Sequence, residues 1–185
     1  RGPVLEKIWL QHYPAGVPAE INPSEYRSLR ELIEQSIAQH RDRPCFTCMD
    51  RTLTYGDLDV LASRFAAYLQ QVARLRKGDR IALMLPNVLQ YPVAILGAFR
   101  AGLTIVNTNP MYTPRELQHQ LHDSGARAIL ILENFAHTLA EVQHDVHLDT
   151  VIVTGVGDLL AFPKSLLVNF ALRHVKKQVP EYSLP

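Results

Sequence analysis

The residues best suited to ligand chemistry stand in one short stretch, Asn107-Thr108-Asn109-Pro110-Met111-Tyr112-Thr113-Pro114-Arg115-Glu116-Leu117, directly after an apolar run. Open α/β sheets place their ligands beyond the carboxyl ends of the strands, so Asn109, Tyr112 and Arg115 are candidate substrate-binding residues. The same positions also have a purely structural interpretation, because asparagine and proline shape turns and the Thr-Pro-Arg-Glu sequence can cap a helix. Turn and cap chemistry explains nearly every position, which favours the structural interpretation and leaves the binding interpretation open.

Other reactive residue types do not form a recognisable site. Cys45 and Cys48 make one C-x-x-C pair inside a predicted strand, where residues three apart point to opposite faces, which indicates structural cysteines. The histidines include two pairs at i, i+3 spacing but lack the third and fourth converging ligands that zinc needs. No Ser or Cys lies in a G-x-S-x-G turn. We therefore predict no metal site and no nucleophile, with solvated positions for His119, His122, His144 and His147.

A phosphate-cradling glycine loop is missing from the sequence as well. Neither G-x-x-x-x-G-K-[ST] nor G-x-G-x-x-G occurs, and Gly155-Val156-Gly157 is followed by Asp158. The Asp79-Arg80 pair suggests a salt bridge or a phosphate contact, although the plain start of a strand after Gly78 explains it better. Nucleotide chemistry thus has no recognisable centre in these 185 residues.

Composition excludes several classes of protein. A hydrophobic content of 47% with 20% charged residues is typical of a globular domain. The net charge of +1 gives no reason to expect a nucleic acid as partner. Apolar runs fall short of the roughly 20 residues that a membrane-spanning helix needs, and nothing near Arg1 resembles a signal peptide. Two cysteines, if reduced, suit a cytoplasmic protein.

Helical and strand patterns alternate along the chain and must position these residues. Ser28 with Glu31 forms a capping box before the first helix, a hairpin is expected across residues 45–54 with its turn near Asp50-Arg51, and Thr54 with Asp57 starts a second helix. The spacing then predicts strands at Arg80–Leu85, Leu103–Val106, Arg127–Leu132 and Thr150–Thr154, and helices at Val88–Arg100, Thr113–Ser124 and Phe135–Gln143. Pro92 indicates that the regular part of the Val88–Arg100 helix begins near Gln90. Strands that alternate with helices indicate right-handed crossovers. We therefore predict an α/β fold, with a layered, largely parallel sheet flanked by helices and a small hairpin near 45–54.

The chain divides into three predicted parts: an irregular N-terminal segment at 1–27, an α/β subdomain at 28–154 and a basic, partly amphipathic tail at 155–185. Trp9, Tyr13, Ile21 and Tyr26 are expected to anchor the first part. Between Leu159 and Pro180 the tail contains four basic residues and no acids. If it is helical, such a segment can lie on an anionic membrane surface. The candidate contacts are Leu167, Arg173, Lys176 and Lys177. A helix packed on the sheet with a solvated basic side is the favoured alternative.

Five short motifs occur in a fixed order: Thr54-Tyr55-x-x-Leu58, Lys77-Gly78-Asp79-Arg80, Pro86-Asn87, Arg100-Ala101-Gly102 and Asn109-Pro110. In this order they resemble the N-terminal region of the adenylate-forming superfamily, the AMP-binding enzymes that include acyl-CoA synthetases. The stretches Trp9–Ile21 and Asn107–Leu117 further resemble bacterial long-chain fatty acid–CoA ligases. The resemblance runs from about residue 8 to residue 185 and would cover only the first third of a full-length ligase.

The resemblance implies a ligase that activates a fatty acid with ATP and Mg²⁺ to an acyl-adenylate and then transfers the acyl group to CoA. It also implies that Asn109, Tyr112 and Arg115 border the CoA or acyl passage. The phosphate loop, the acids that bind ribose and metal and the catalytic lysine of the family follow later in such enzymes. We therefore expect no cofactor and no catalytic residue in this chain, and no activity from it alone.

Two alternatives stay open at this point. One is a free-standing, non-catalytic binding or interaction module with the same fold, and the other is a ligase for medium-chain or aryl acids. Self-association into a homo-oligomer is a further open question. The expected location is the cytoplasm, with peripheral contact to the inner face of the cell membrane.

Overall fold

A four-stranded parallel sheet forms the centre of the computed structural model, which describes residues 6–184. The strands lie in the order β4-β3-β5-β6, and each neighbouring pair is parallel. Their bounds are β3 Arg80–Met84, β4 Thr104–Asn107, β5 Ala128–Leu132 and β6 Thr150–Thr154. The predicted layered α/β fold with a largely parallel sheet is confirmed. The predicted three-part division of the chain stays a prediction, and its first five residues lie outside the described range.

The described α-helices are α1 Leu29–His40, α2 Tyr55–Gln71, α3 Gln90–Ala101, α4 Pro114–Ser124, α5 Ala136–Val142 and α6 Lys164–Phe170. Of these, α3, α4 and α5 connect the strands of the parallel sheet, as the spacing predicted. Full capping boxes begin α2 and α4, and left-handed glycines at positions 102 and 125 end α3 and α4. At α1 the predicted box is only half present. Ser28 accepts from the Glu31 amide, but the Glu31 carboxylate accepts from the Arg27 amide and not from that of Ser28.

The antiparallel hairpin consists of β1 Pro44–Cys48 and β2 Arg51–Thr54. Met49 and Asp50 both have positive φ, as in the two-residue turns that match the twist of paired strands. The pairing register shifts between Pro44 and Phe46, so this strand contains a bulge. Because the bulge changes the alternation of side chains, Cys45 and Cys48 both pack against one hydrophobic cluster. The prediction that they point to opposite faces was therefore wrong.

Both faces of the central strands are covered by helices. Residues 81–84 of β3 alternate between two clusters and are each at most 1% exposed. On one face, Ile81 and Leu83 pack with α2 and α3, while on the other face Ala82 and Met84 pack with α4 and α5. Fully burying an aliphatic side chain is worth about 1.5–3 kcal/mol, so these short strands contribute much of the stability. A further layer, made of α1 and the hairpin, lies outside α2 and α3.

A salt-bridge network joins the amino ends of three strands. Arg127 contacts Asp79 before β3 at 2.8 Å and Asp149 before β6 at 2.6 Å. The backbone amide of Arg76 and the guanidinium of Arg127 lower the pKa of Asp79. The start-of-strand interpretation of Asp79-Arg80 was thus incomplete, because the carboxylate has a specific ionic partner. The network lies at the edge opposite to the one where ligands bind in parallel sheets.

Candidate functional site at the carboxyl edge of the sheet

The turn between β4 and α4 contains the predicted substrate-binding residues. The Asn109 side chain accepts from the Met111 amide at 3.0 Å, so it closes the turn. The Tyr91 hydroxyl donates to Asn107 Oδ1 at 2.8 Å, and Gln120 Nε2 donates to the Asn107 carbonyl at 3.2 Å. The turn is therefore held firmly to α3 and α4. Asn109 has a structural role that this geometry explains by itself.

Tyr112 and Arg115 differ in their surroundings. Tyr112 is half-buried and packs against the cluster beneath α4 and α5. Arg115 is exposed in the first turn of α4. Thr113 donates to Glu116 through its backbone amide and its hydroxyl, and these bonds lower the pKa of Glu116. The turn, the packing of Tyr112 and the helix cap thus explain most positions between Asn107 and Leu117. Among the three predicted site residues, Arg115 has its side chain in solvent.

A polar network that the sequence did not reveal closes the carboxyl end of β6. The buried Gln90 side chain donates to the Gly155 carbonyl at 2.7 Å and to Thr154 at 3.4 Å. Asp158 in turn accepts from the Thr154 hydroxyl at 2.9 Å and from the Gly155 amide at 2.8 Å. The loop after β6 is therefore fixed to the start of α3.

Asn169 extends this network to α6. Its side chain accepts from the Gly157 amide at 2.7 Å and donates to Asp158 at 2.8 Å. A Cβ at position 157 would lie 2.5 Å from the Ser165 carbonyl oxygen, which leaves room only for glycine. The glycines at 155 and 157 thus serve the close approach of α6 to the sheet.

The tail then crosses the carboxyl end of β5. Glu133, which follows β5 directly, has only 6% of its side chain exposed and forms a salt bridge with Arg173. Asn134 donates to the Gln178 carbonyl at 2.9 Å, and Gln143 donates to the Ser183 carbonyl at 3.0 Å. These contacts hold the tail against the sheet and α5. A polar cavity of about 460 Å³ lies between Glu133, Asp158 and the helical part of the tail.

The predicted membrane-contact residues have different environments within the tail. Leu167 is 64% exposed, and Lys176 and Lys177 are exposed, whereas Arg173 binds Glu133. The helix changes to π-helical geometry at Ala171–Val175. Val168, Ala171 and Leu172 lie half-buried on the inner side. The outer side exposes a row of large apolar side chains, formed by Phe162, Leu166, Leu167 and Phe170.

The structure does not bring the predicted substrate-binding residues and the predicted membrane-contact residues together. The turn with Arg115 follows β4 at one border of the sheet, and the tail follows β6 at the other. Three strand spacings of about 4.8 Å separate those borders by roughly 14 Å. Within residues 6–184 no three His, Cys, Asp or Glu side chains are grouped so as to hold a metal ion. His119, His122, His144 and His147 are exposed, as predicted.

One sequence signal could have indicated Glu133. A carboxylate directly after a five-residue apolar strand stands where the strand leaves the core, and a buried acid there needs a cation. The partner, Arg173, is 40 residues away, so only the folded chain shows it. Across the part of the chain that is described, no helix has both the length and the hydropathy needed to cross a membrane.

Comparison with known proteins agrees with this architecture. The family model "AMP-binding enzyme" matches residues 33–182, which is well over half of the chain. The chain belongs to the AMP-binding enzyme family. Among solved structures, it is similar to a benzoate CoA ligase from Burkholderia xenovorans LB400, with a TM-score of 0.63 and 25% identity over 68% of this chain and 25% of that one. A long-chain-fatty-acid-CoA ligase from Archaeoglobus fulgidus shares the fold, with a TM-score of 0.65 and 22% identity over 77% of this chain and 30% of that one.

The relatives found by sequence include long-chain-fatty-acid–CoA ligases. A long-chain-fatty-acid–CoA ligase of Escherichia coli O157:H7 is 53% identical over 181 residues, which are 98% of this chain and 32% of that protein. One from Bacillus subtilis is 35% identical over 88% of this chain and 29% of its own length. The chain thus spans about a third of the length of these relatives.

The Arg173–Glu133 salt bridge gives a test of the tail's attachment. We expect Arg173→Ala to lower the free energy of unfolding in urea by about 1–3 kcal/mol, because it leaves a buried charge without its partner. Lys176→Ala, also exposed and one turn away, is the matched control and should have little effect. A loss that Glu133→Gln fails to reverse would contradict this account.

Proposed function

We propose that this chain is the N-terminal α/β part of a long-chain fatty acid–CoA ligase, which activates fatty acids with ATP to acyl-adenylates and then to acyl-CoA. The observation that carries the proposal is the 53% identity with the Escherichia coli O157:H7 ligase over 98% of this chain. In such an enzyme the chain supplies a rigid layer beside the acyl and CoA side of the active site.

ATP and Mg²⁺ do not fit the residues of this chain. The sequence has no phosphate loop, and the described residues contain no group of three metal-ligating side chains. Both would be bound by the remaining two-thirds of the ligase, so no step of the reaction is assigned to the residues here. The chain would contribute a wall of the active site, which helps to bind and orient the substrates. We infer that the isolated chain is inactive.

A free-standing binding module with the same fold is the second candidate. The polar cavity beside Glu133 favours it, because such a cavity can bind a ligand without any catalysis. A ligase for shorter or aryl acids is less well supported, since a 4-coumarate–CoA ligase of Pinus taeda is 30% identical, against 53% for the long-chain ligase of Escherichia coli O157:H7.

Joining this chain to the rest of a ligase tests the proposal. We expect a chimera, in which the chain replaces the matched third of the Escherichia coli O157:H7 ligase, to form palmitoyl-CoA from palmitate, ATP and CoA. The chain alone should form none. Thermal unfolding of the chimera controls for misfolding. A chimera that folds but has no activity would contradict the ligase proposal, and turnover by the chain alone would contradict its predicted inactivity.

Asn109, Tyr112 and Arg115 border the CoA or acyl passage in this proposal. Arg115 supports it most directly, because its exposed guanidinium suits the phosphates of CoA. Asn109 and Tyr112 would act by holding the turn in place.

In the active chimera, we expect Arg115→Ala to raise KM for CoA roughly tenfold with little change in kcat, in line with the loss of one charge-assisted hydrogen bond. His119→Ala, which alters another exposed side chain one turn further along α4, is the matched control. Equal KM values for the two variants would remove Arg115 from the site.

Peripheral contact with the cytoplasmic face of the membrane is the remaining part of the proposal. Leu167, Lys176 and Lys177 are available for it, and half of the Arg173 side chain stays exposed beside its salt bridge. The exposed row Phe162, Leu166, Leu167 and Phe170 supplies apolar area next to these charges. Apolar and basic groups together favour an anionic lipid surface.

Co-sedimentation with vesicles that contain phosphatidylglycerol measures this contact. Each basic residue near an anionic surface contributes about 1 kcal/mol, so Lys176→Glu with Lys177→Glu should weaken binding by roughly tenfold or more. Arg64→Glu with Arg74→Glu, the same charge change at exposed positions elsewhere, should leave binding nearly unchanged. Equal binding by both double variants would rule out the tail as the contact.

A further inference from the structure

The salt bridge between Glu133 and Arg173 leaves hydrogen-bonding atoms of both side chains unused. Arg173 Nη2 donates to Glu133 Oε2, and within the described part of the chain neither side chain makes another hydrogen bond. Glu133 Oε1 is buried and has no partner among residues 6–184. A guanidinium carries several N–H groups, so Arg173 keeps further donors for a second acceptor. The pair can therefore accept one donor and offer others without breaking its own bond.

Both side chains line the polar cavity between the carboxyl end of β5 and the tail. Its volume of about 460 Å³ falls within the roughly 300–1,000 Å³ that ligand pockets occupy. The terminal torsion of a glutamate is soft, so the Glu133 carboxylate can turn Oε1 towards a donor in the cavity. A buried carboxylate oxygen without a donor destabilises the fold, and a ligand with an N–H group would satisfy it.

The charges that line the cavity favour a ligand that carries both signs. Asp158 adds a second, exposed carboxylate, whose hydrogen-bond partners are all neutral. Two carboxylates against one guanidinium repel a free carboxylate or a polyphosphate, which disfavours fatty acids, ATP and CoA. An ammonium group, by contrast, can bind Glu133 beside Asp158, while a phosphate attached to it can bind the remaining donors of Arg173.

The cavity also lies beside exposed apolar side chains. Leu166 and Phe170 line it and belong to the exposed row on the outer side of α6, where they are 64% and 60% exposed. The ring of Phe170 adds an aromatic face that attracts an ammonium group. A lipid headgroup held in the cavity would leave its acyl chains next to the apolar row. This arrangement favours a lipid over a free zwitterion as the source of the ligand.

We propose that this cavity binds the phosphoethanolamine group of phosphatidylethanolamine, with the ammonium on Glu133 and the phosphate on Arg173. The inference deepens the membrane contact proposed above and rests on it for the lipid source. The ammonium donates to Glu133 Oε1, while Oε2 keeps the salt bridge. The attraction of Lys176 and Lys177 to anionic lipid depends on net charge, whereas this recognition depends on N–H groups.

Co-sedimentation of the 185-residue chain with vesicles that carry no net charge tests the proposal. Phosphatidylcholine has the same charges as phosphatidylethanolamine, but its methylated nitrogen has no N–H group. We expect vesicles of both lipids in equal parts to bind roughly tenfold more tightly than phosphatidylcholine alone, in line with one charge-assisted hydrogen bond. Glu133→Gln, which replaces the free oxygen with an NH₂ group, should abolish this preference. Glu141→Gln, at an exposed position of α5 outside the cavity, is the matched control and should retain it.

Calorimetry with soluble O-phosphoethanolamine and phosphocholine separates the two sources and needs no variant. A preference for O-phosphoethanolamine without a preference between the vesicles would assign the cavity to a free zwitterion and overturn the lipid source. No preference in either comparison would overturn the whole proposal, and so would a preference that Glu133→Gln retains. A chain that binds phosphatidylglycerol vesicles but shows no preference here contradicts this inference alone. One that binds O-phosphoethanolamine but no vesicle contradicts the membrane contact.

Discussion

The need to cover both faces of a short parallel sheet determines most of this structure. Strands β3 and β5 are only five residues long, yet nearly every side chain in them is buried, so each face must carry its own helices. The alternation within β3 sends Ile81 and Leu83 towards α2 and α3 and sends Ala82 and Met84 towards α4 and α5. Helices on both faces bring all the strand-to-helix loops to the carboxyl edge. The candidate site residues therefore lie at that edge.

The two borders of the edge are closed in different ways. Beside β4, the turn is held by local hydrogen bonds, with Asn107 bound to Tyr91 and Gln120. Beside β6, closure depends on contacts between distant parts of the chain, such as Gln90 with Gly155 and Glu133 with Arg173. The border beside β4 is thus held by contacts between nearby residues, whereas the border beside β6 is covered by a tail that a few polar contacts hold in place.

Local signals in the sequence predicted most of the fold. The caps at Thr54 and Thr113 and the apolar runs predicted the elements and their order, because each depends on residues close together in the chain. The error at the cysteines arose because strand pairing, rather than simple alternation along the strand, decides where their side chains point. A register shift in the hairpin turned Cys45 and Cys48 towards one cluster. The expected anchors Trp9, Tyr13, Ile21 and Tyr26 are exposed, since the described residues offer them no core. In the candidate site, the position of Arg115 in the turn before α4 could be predicted from its neighbours, but the salt bridge of Glu133 with Arg173 could not.

We expect the doubly covered sheet to make this chain a folding unit in its own right. Native-state hydrogen exchange on the 185-residue chain tests that claim most directly. Amides of β3 and β5 should exchange only through global unfolding and be the slowest in the molecule, while residues 6–27 exchange within the dead time of the experiment. Fast exchange throughout β3 and β5, with protection gained only when the rest of a ligase is attached, would contradict it.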